Sequence, residues 1–132
     1  MQTFLPYPDF ARSASILDNA RLGKQRVEAR QILDCLLNRS NQGWKNHPAV
    51  KMWHGYEQAL SNYGWIIVFQ WELRGFRNSI KFPYYYNPIL PPWFGCEEFH
   101  LSHKSNLLRK FPSHYNKAFQ EIPSNLPYFW PL

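Results

Sequence analysis

The arrangement in this chain that most invites chemistry is one carboxylate set among cations. In Leu17 to Leu37, LDNARLGKQRVEARQILDCLL, Lys24 and Glu28 stand one helical turn apart, Arg21 lies about a turn further back, and Gln31 shares their side. A carboxylate in such company can orient a nucleophile and shuttle protons. The competing reading is plain: a Lys/Glu pair at this spacing is usually surface decoration worth a few tenths of a kcal/mol. A second candidate is His100-x-x-His103. Two such histidines on a helix can hold a metal, but no third ligand stands at a convincing spacing, so no metal and no cofactor are expected. More in keeping with their neighbours, His103, Lys104, Arg109 and Lys110 would contact phosphate.

These residues need helices to hold them. At about 100° per residue, Leu22, Ala29, Leu33 and Leu36 form an apolar stripe, and Asp18 is placed to cap the helix that carries it. Arg26 falls inside that stripe, either snorkelling at its edge or held to bind an anion. Before this helix, Met1 to Phe10 has two prolines and no helical period, which predicts an extended arm pinned by Phe4, Leu5 and Tyr7. After the polar loop Asn38 to Asn46, His47-Pro48 begins a second helix through Ala49, Met52, Trp53, Tyr56, Leu60 and Tyr63. Gly64 would end or bend it. Trp65 to Arg74 reads as a strand on residue type and as a helix on spacing; helix is the better fit, with Gly75 as its stop.

Phe82 to Gly95, rich in proline and aromatics, is an ordered loop. Most of its rings should pack, and one of Tyr84, Tyr85, Tyr86 or Trp93 is a candidate to stack on or insert into nucleic acid. Glu97 to Lys110 makes a third helix, acids first and cations last, as the helix dipole prefers. A short fourth follows within Ser113 to Ile122, and the tail from Pro123 wraps back on Tyr128, Phe129 and Trp130. The fold expected is all-α, a compact single domain over residues 1–132 of three to four helices, with an extended amino-terminal arm and long Pro/aromatic-rich loops.

Composition narrows the partners. The 132 residues carry a net charge of +6 and 18% aromatic side chains, a combination that favours polyanions and supplies stacking platforms. Cys35 and Cys96, without metal-type spacing or a signal peptide, are expected to be reduced thiols of a cytoplasmic protein. The longest apolar run, Trp65 to Phe69, is too short to span a membrane.

The order of pieces resembles the pyrimidine-dimer DNA glycosylase family, of the phage endonuclease V type. The resemblance rests on the short arm, Leu22-x5-Glu28, Asn46-His47-Pro48, the helix ending Leu73-Arg74-Gly75-Phe76, and the Phe99 to Lys110 helix. It is nearer to small bacterial proteins filed under that family name, which share the MQTFLPYPDF arm and the RLGKQRVE helix. The resemblance implies an all-helical fold that binds damaged double-stranded DNA on a basic face. It further implies a DNA repair glycosylase with abasic-site lyase activity, in which the amino-terminal amine attacks the sugar and a first-helix glutamate assists.

By position the amine is that of Met1 and the glutamate is Glu28; Gln2 is large, which predicts that Met1 is retained. An α-amine titrates at about 7.7 to 8.0, against about 10.4 for lysine, so it is a usable nucleophile at neutral pH. The DNA-contacting set is then Arg21, Lys24, Arg26, Gln31 and His47, with His103, Lys104 and Arg109 from the third helix. Val27 and Gln31 stand where the phage enzyme has arginines, and Arg21, Lys24 and Arg26 would supply that charge from one turn earlier. A monomer is expected. The alternatives are a non-catalytic basic DNA-binding module, or an enzyme acting on a nucleotide or other small anion.

Overall fold

Two aspartates start the helical part of the chain. In the computed structural model, which describes residues 1–132, Asp9 accepts from Arg12 N–H at 2.8 Å and caps α1 (Phe10–Ile16). Asp18 accepts from Arg21 N–H at 3.3 Å and caps α2 (Asn19–Leu36). Between them Leu17 is extended, so the chain turns a corner from α1 into α2.

A 3-10 turn (Gln42–Trp44) leads to α3 (Pro48–Lys51), with Pro48 in its first turn and His47 as its cap. The expected second helix is therefore two. Gly55, at φ +88°, lies in the turn that separates α3 from α4 (Glu57–Leu73). Trp65 to Leu73 is helical, as its spacing predicted, and Gly75 follows the helix end at φ +92°. Gly64 does not end α4: a Cβ there would sit 2.4 Å from the Phe82 ring, so the glycine lets that ring lie against the helix. Then come α5 (Glu97–Lys110) and α6 (Pro112–Tyr115). The protein is all-helical, with six α-helices where three to four were expected: α6 overlaps the short fourth helix expected there, whereas α1 and a separate α3 are too short to leave a periodic signature.

α2 packs on α4, α1 also packs on α4, α3 on α2, and α6 on α5. The apolar cluster includes Leu22, Ile32, Trp53, Tyr63, Ile67, Phe99 and Leu107. Residues 1–5 run through it without helix or strand partner, so their backbone groups must find side chains. From α2, Gln25 accepts from Phe4 N–H and donates to Gln2 C=O, each at 2.9 Å. From α5, His103 Nδ1 accepts from Leu5 N–H at 2.9 Å, and His100 Nδ1 pairs with Leu5 C=O at 2.7 Å. Because His100 Nε2 accepts from Gly95 N–H, its proton is on Nδ1, facing Leu5. The segment is thus gripped between α2 and α5, which fixes where its first residue ends up.

Candidate active site

That grip brings the Met1 nitrogen to 4.0 Å from Glu28 Oε1, while the Met1 side chain packs against the apolar cluster. The separation is an ion pair and not yet a hydrogen bond. Glu28 is held from its other oxygen, Oε2 accepting from Gln25 Nε2 at 2.9 Å. Gln25 is saturated: Nε2 donates to Gln2 and Glu28, and Oε1 accepts from Phe4 N–H and from the Tyr63 hydroxyl at 2.6 Å. One amide therefore couples the position of the amine to that of the carboxylate.

A cavity of about 470 Å³ opens on this pair, with Arg21, Lys24 and Lys110 as its cations and Phe4 and Tyr128 as its rings. Burial pushes the Glu28 carboxyl above the ordinary glutamate range; the Met1 amine, Lys24, the Gln2 N–H and the Gln25 amide oppose that push without cancelling it. Burial also lifts the Tyr128 phenol, to about 12, leaving it a neutral hydrogen-bond donor at the cavity wall. Arg21 is anchored by Asp18, whose two oxygens each lie 3.3 Å from its Nη1. Burial raises the Asp18 carboxyl, but the Tyr115 hydroxyl and Arg21 outweigh it, so the group stays ionised below the ordinary range.

A family model described as pyrimidine dimer DNA glycosylase matches residues 1–83. The chain belongs to the pyrimidine dimer DNA glycosylase family. Membership makes DNA the substrate class, and no helix is long and apolar enough to cross a membrane. No curated protein and no solved structure matches the chain. The glycosylase match takes in the amino-terminal segment, α2, α3 and α4, whereas Lys110 and Tyr128, which complete the cavity, lie beyond it.

The residues expected to touch DNA separate into groups. Arg21 and Lys24 line the cavity. Gln31 is half-buried and outside its lining. His47 is occupied as the α3 cap, Nδ1 accepting from Ala49 N–H at 3.0 Å, and burial together with the Met1 amine lowers its pKa. Arg26 faces away: its guanidinium lies over the Trp71 ring and donates to Asn78 Oδ1 at 2.8 Å, so it pins the segment after α4.

His103 is a correction. It is 1% exposed, has a pKa driven down to about 3 by burial and by His100, and spends its acceptor nitrogen on Leu5, so no phosphate reaches it. Arg109 is exposed but committed, donating to Ser124 C=O at 2.7 Å, to Leu126 C=O and to Asn106. Lys104 stands over Tyr7, outside the cavity. Trp93 cannot enter a duplex, being buried with its indole N–H on Met52 C=O; Tyr86, 97% exposed, is free to.

Gln25 escaped notice in the sequence although a signal was there. By helical angle it falls between Ile32 and Ala29, inside the apolar arc, where an amide must be paired.

Proposed function

We propose that this protein removes a damaged pyrimidine from duplex DNA and then opens the abasic site, with the Met1 amine as nucleophile and Glu28 as proton carrier. The observation that supports this reading is the 4.0 Å approach of Met1 N to Glu28 Oε1 at the wall of an open cationic cavity. The nucleotide must leave the stack to reach it, at a cost of a few kcal/mol that is smallest for damaged pairs. Arg21, Lys24 and Lys110 would hold the phosphates on either side of it.

In this reading the free amine attacks C1′, the glycosidic bond breaks, and its electron pair leaves with the base, which takes up a proton. Glu28 accepts the proton that the new C–N bond must shed. The sugar then opens as O4′ is protonated and C1′ becomes an imine. Removal of a C2′ proton, by Glu28 or a water it orients, expels the 3′ phosphate and nicks the strand. A carboxyl with its pKa raised exchanges protons closer to neutral pH, which suits a group that must both take and give. Hydrogen bonds of this kind are commonly long before substrate binds, so 4.0 Å is compatible with the role.

Borohydride reduction in the presence of a duplex tests the reading. An adduct of protein plus strand is expected with an abasic site and with a cyclobutane dimer, and none with undamaged DNA. It should vanish when the amino terminus is acetylated. A protein that leaves no adduct on the abasic duplex is not this enzyme.

A further inference from the structure

The far end of the amino-terminal segment carries an arrangement that the cavity does not use. Tyr7 has two cations on its ring: the Arg12 guanidinium carbon is 3.8 Å from the centroid and Lys104 Nζ is 4.9 Å. Neither has a carboxylate within 4.0 Å; the ion pairs of the protein are Met1–Glu28, Arg21–Asp18 and Arg30–Asp34. A groove of about 440 Å³ opens beside them, with Lys117 as a third cation and Glu121 as its one acid. Burial and the charge of Arg12 both draw the Lys104 pKa below the ordinary lysine range, and Glu97 counters them only in part. Two like charges held around one phenol repel each other, and the ring that attracts both fixes their heads in place. An anion entering the groove relieves that repulsion and finds its donors already ordered.

We propose that this groove is a second anion site, which holds a backbone phosphate of the bound duplex a few base pairs from the nucleotide in the cavity. It rests on the DNA substrate that the family implies, and not on the chemistry assigned to Met1 and Glu28. The spacing follows from two elements shared with the cavity. Tyr7 is six residues from Met1, at most about 20 Å of extended chain. Lys104 is six residues before Lys110 on α5, about 9 Å along the axis. Successive phosphates of one strand are set apart by the winding of the strand as well as by its rise, so a separation of this size places the phosphate held here a few base pairs from the lesion.

The test uses the full chain and the doubly substituted Arg12→Gln, Lys104→Gln protein, Arg12 being exposed and Lys104 half-buried, with both changes keeping most of the side-chain stem. For a 30-base-pair duplex with a central abasic-site analogue, the substituted protein should bind about tenfold more weakly at 0.1 M salt. The slope of log affinity against log salt should become shallower by about one, the loss of a single phosphate contact. Neutral methylphosphonate linkages placed one at a time should reproduce the loss in the unsubstituted protein at one position a few steps from the lesion. They should add nothing at that position in the variant. Equal affinity and slope in the two proteins, with matching Tm, overturns the proposal. So does saturable binding of inorganic phosphate that the variant loses while its duplex affinity is unchanged, which would make the groove a site for the free ion. Because only binding is read, absence of a borohydride adduct would leave this result standing, and failure here would leave the adduct standing.

Discussion

The two flanks of α2 carry the same kinds of residue and do different things. On one side of its apolar stripe, Arg21, Lys24 and Glu28 face open space, and the amino terminus arrives to meet them. On the other, Arg26 lies over Trp71 and Arg30 over Phe82; Arg26 bonds Asn78, Arg30 bonds Asp34 and Lys81 C=O, and Gly23 leaves room for the Trp71 ring. Guanidinium groups on that second flank hold the chain after α4 against the helix. Charge in a basic protein therefore marks function only where tertiary structure leaves it unspent. On α2 the dividing feature is whether another segment lies over the flank: residues 76–82 cover one side and leave the other to solvent.

The largest effect expected on the open flank is that of Glu28→Gln. It keeps the shape and removes the proton acceptor, so adduct formation on an abasic duplex should slow by about 10²-fold or more, at unchanged Tm. Because burial raises the Glu28 carboxyl, the unsubstituted protein's pH profile should carry a carboxyl inflection above the ordinary glutamate range, in addition to the fall in rate as the amine nucleophile is protonated, and only the amine's fall should remain in the variant. A carboxyl inflection that survives the substitution would assign proton transfer elsewhere.

Next in size is Gln25→Leu. It strands Phe4 N–H and Gln2 C=O and frees both the arm and the carboxylate, which should destabilise the fold by about 3 kcal/mol and lower Tm by roughly 10 °C. The adduct rate per folded molecule should also fall, by about tenfold, since amine and acid are no longer held together. A variant that loses stability but keeps the full rate would show that Gln25 serves the fold alone.

The segment that delivers Met1 should also betray itself in the pH dependence of stability. His103 has a folded pKa of about 3, against about 6.5 unfolded. Below pH 6.5 the unfolded chain takes up a proton that the folded one refuses, so this group's contribution is complete above 6.5. It declines as pH falls toward 3, by up to about 1.4 kcal/mol per pH unit. Thermal melts at pH 7.5, 5.5 and 4.5 measure that slope. His103→Gln, whose carbonyl can still accept from Leu5 N–H, should flatten it, and an unchanged slope would place the acid sensitivity in other groups.

What could be read from the sequence was local. The start of α2 at Asp18, the stop at Gly75, and α5 with Glu97 and Glu98 at one end and Arg109 and Lys110 at the other are each written within a few neighbouring residues. Placing Glu28 on a wet flank needed only the helical period. The fates of Arg26, Arg109 and His103 were not readable, because their partners Asn78, Ser124 and Leu5 come from remote stretches and give no local signal. The approach of residue 1 to residue 28 was reachable only through the family resemblance, since no periodicity couples an irregular segment to a helix. Gly55 and the single-turn α3 before it were in plain sight but outweighed by an apolar spacing that a turn can also satisfy.

The smallest effects give the sharpest test of the two flanks, because they should cross. Lys24 is exposed and unpaired, so Lys24→Gln should leave Tm within about 1 °C while making the salt dependence of duplex binding shallower by about 0.9, one phosphate's worth. Arg26→Gln should do the reverse. It gives up the contact with the Trp71 face and the bond to Asn78, destabilising by about 1 to 2 kcal/mol, or a few degrees of Tm, with the salt slope unmoved. The two substitutions remove the same unit charge, so a generic loss of positive potential would lower both slopes alike. Only a covered flank and an open flank on the same helix predict that one substitution registers in the binding curve and the other in the melt.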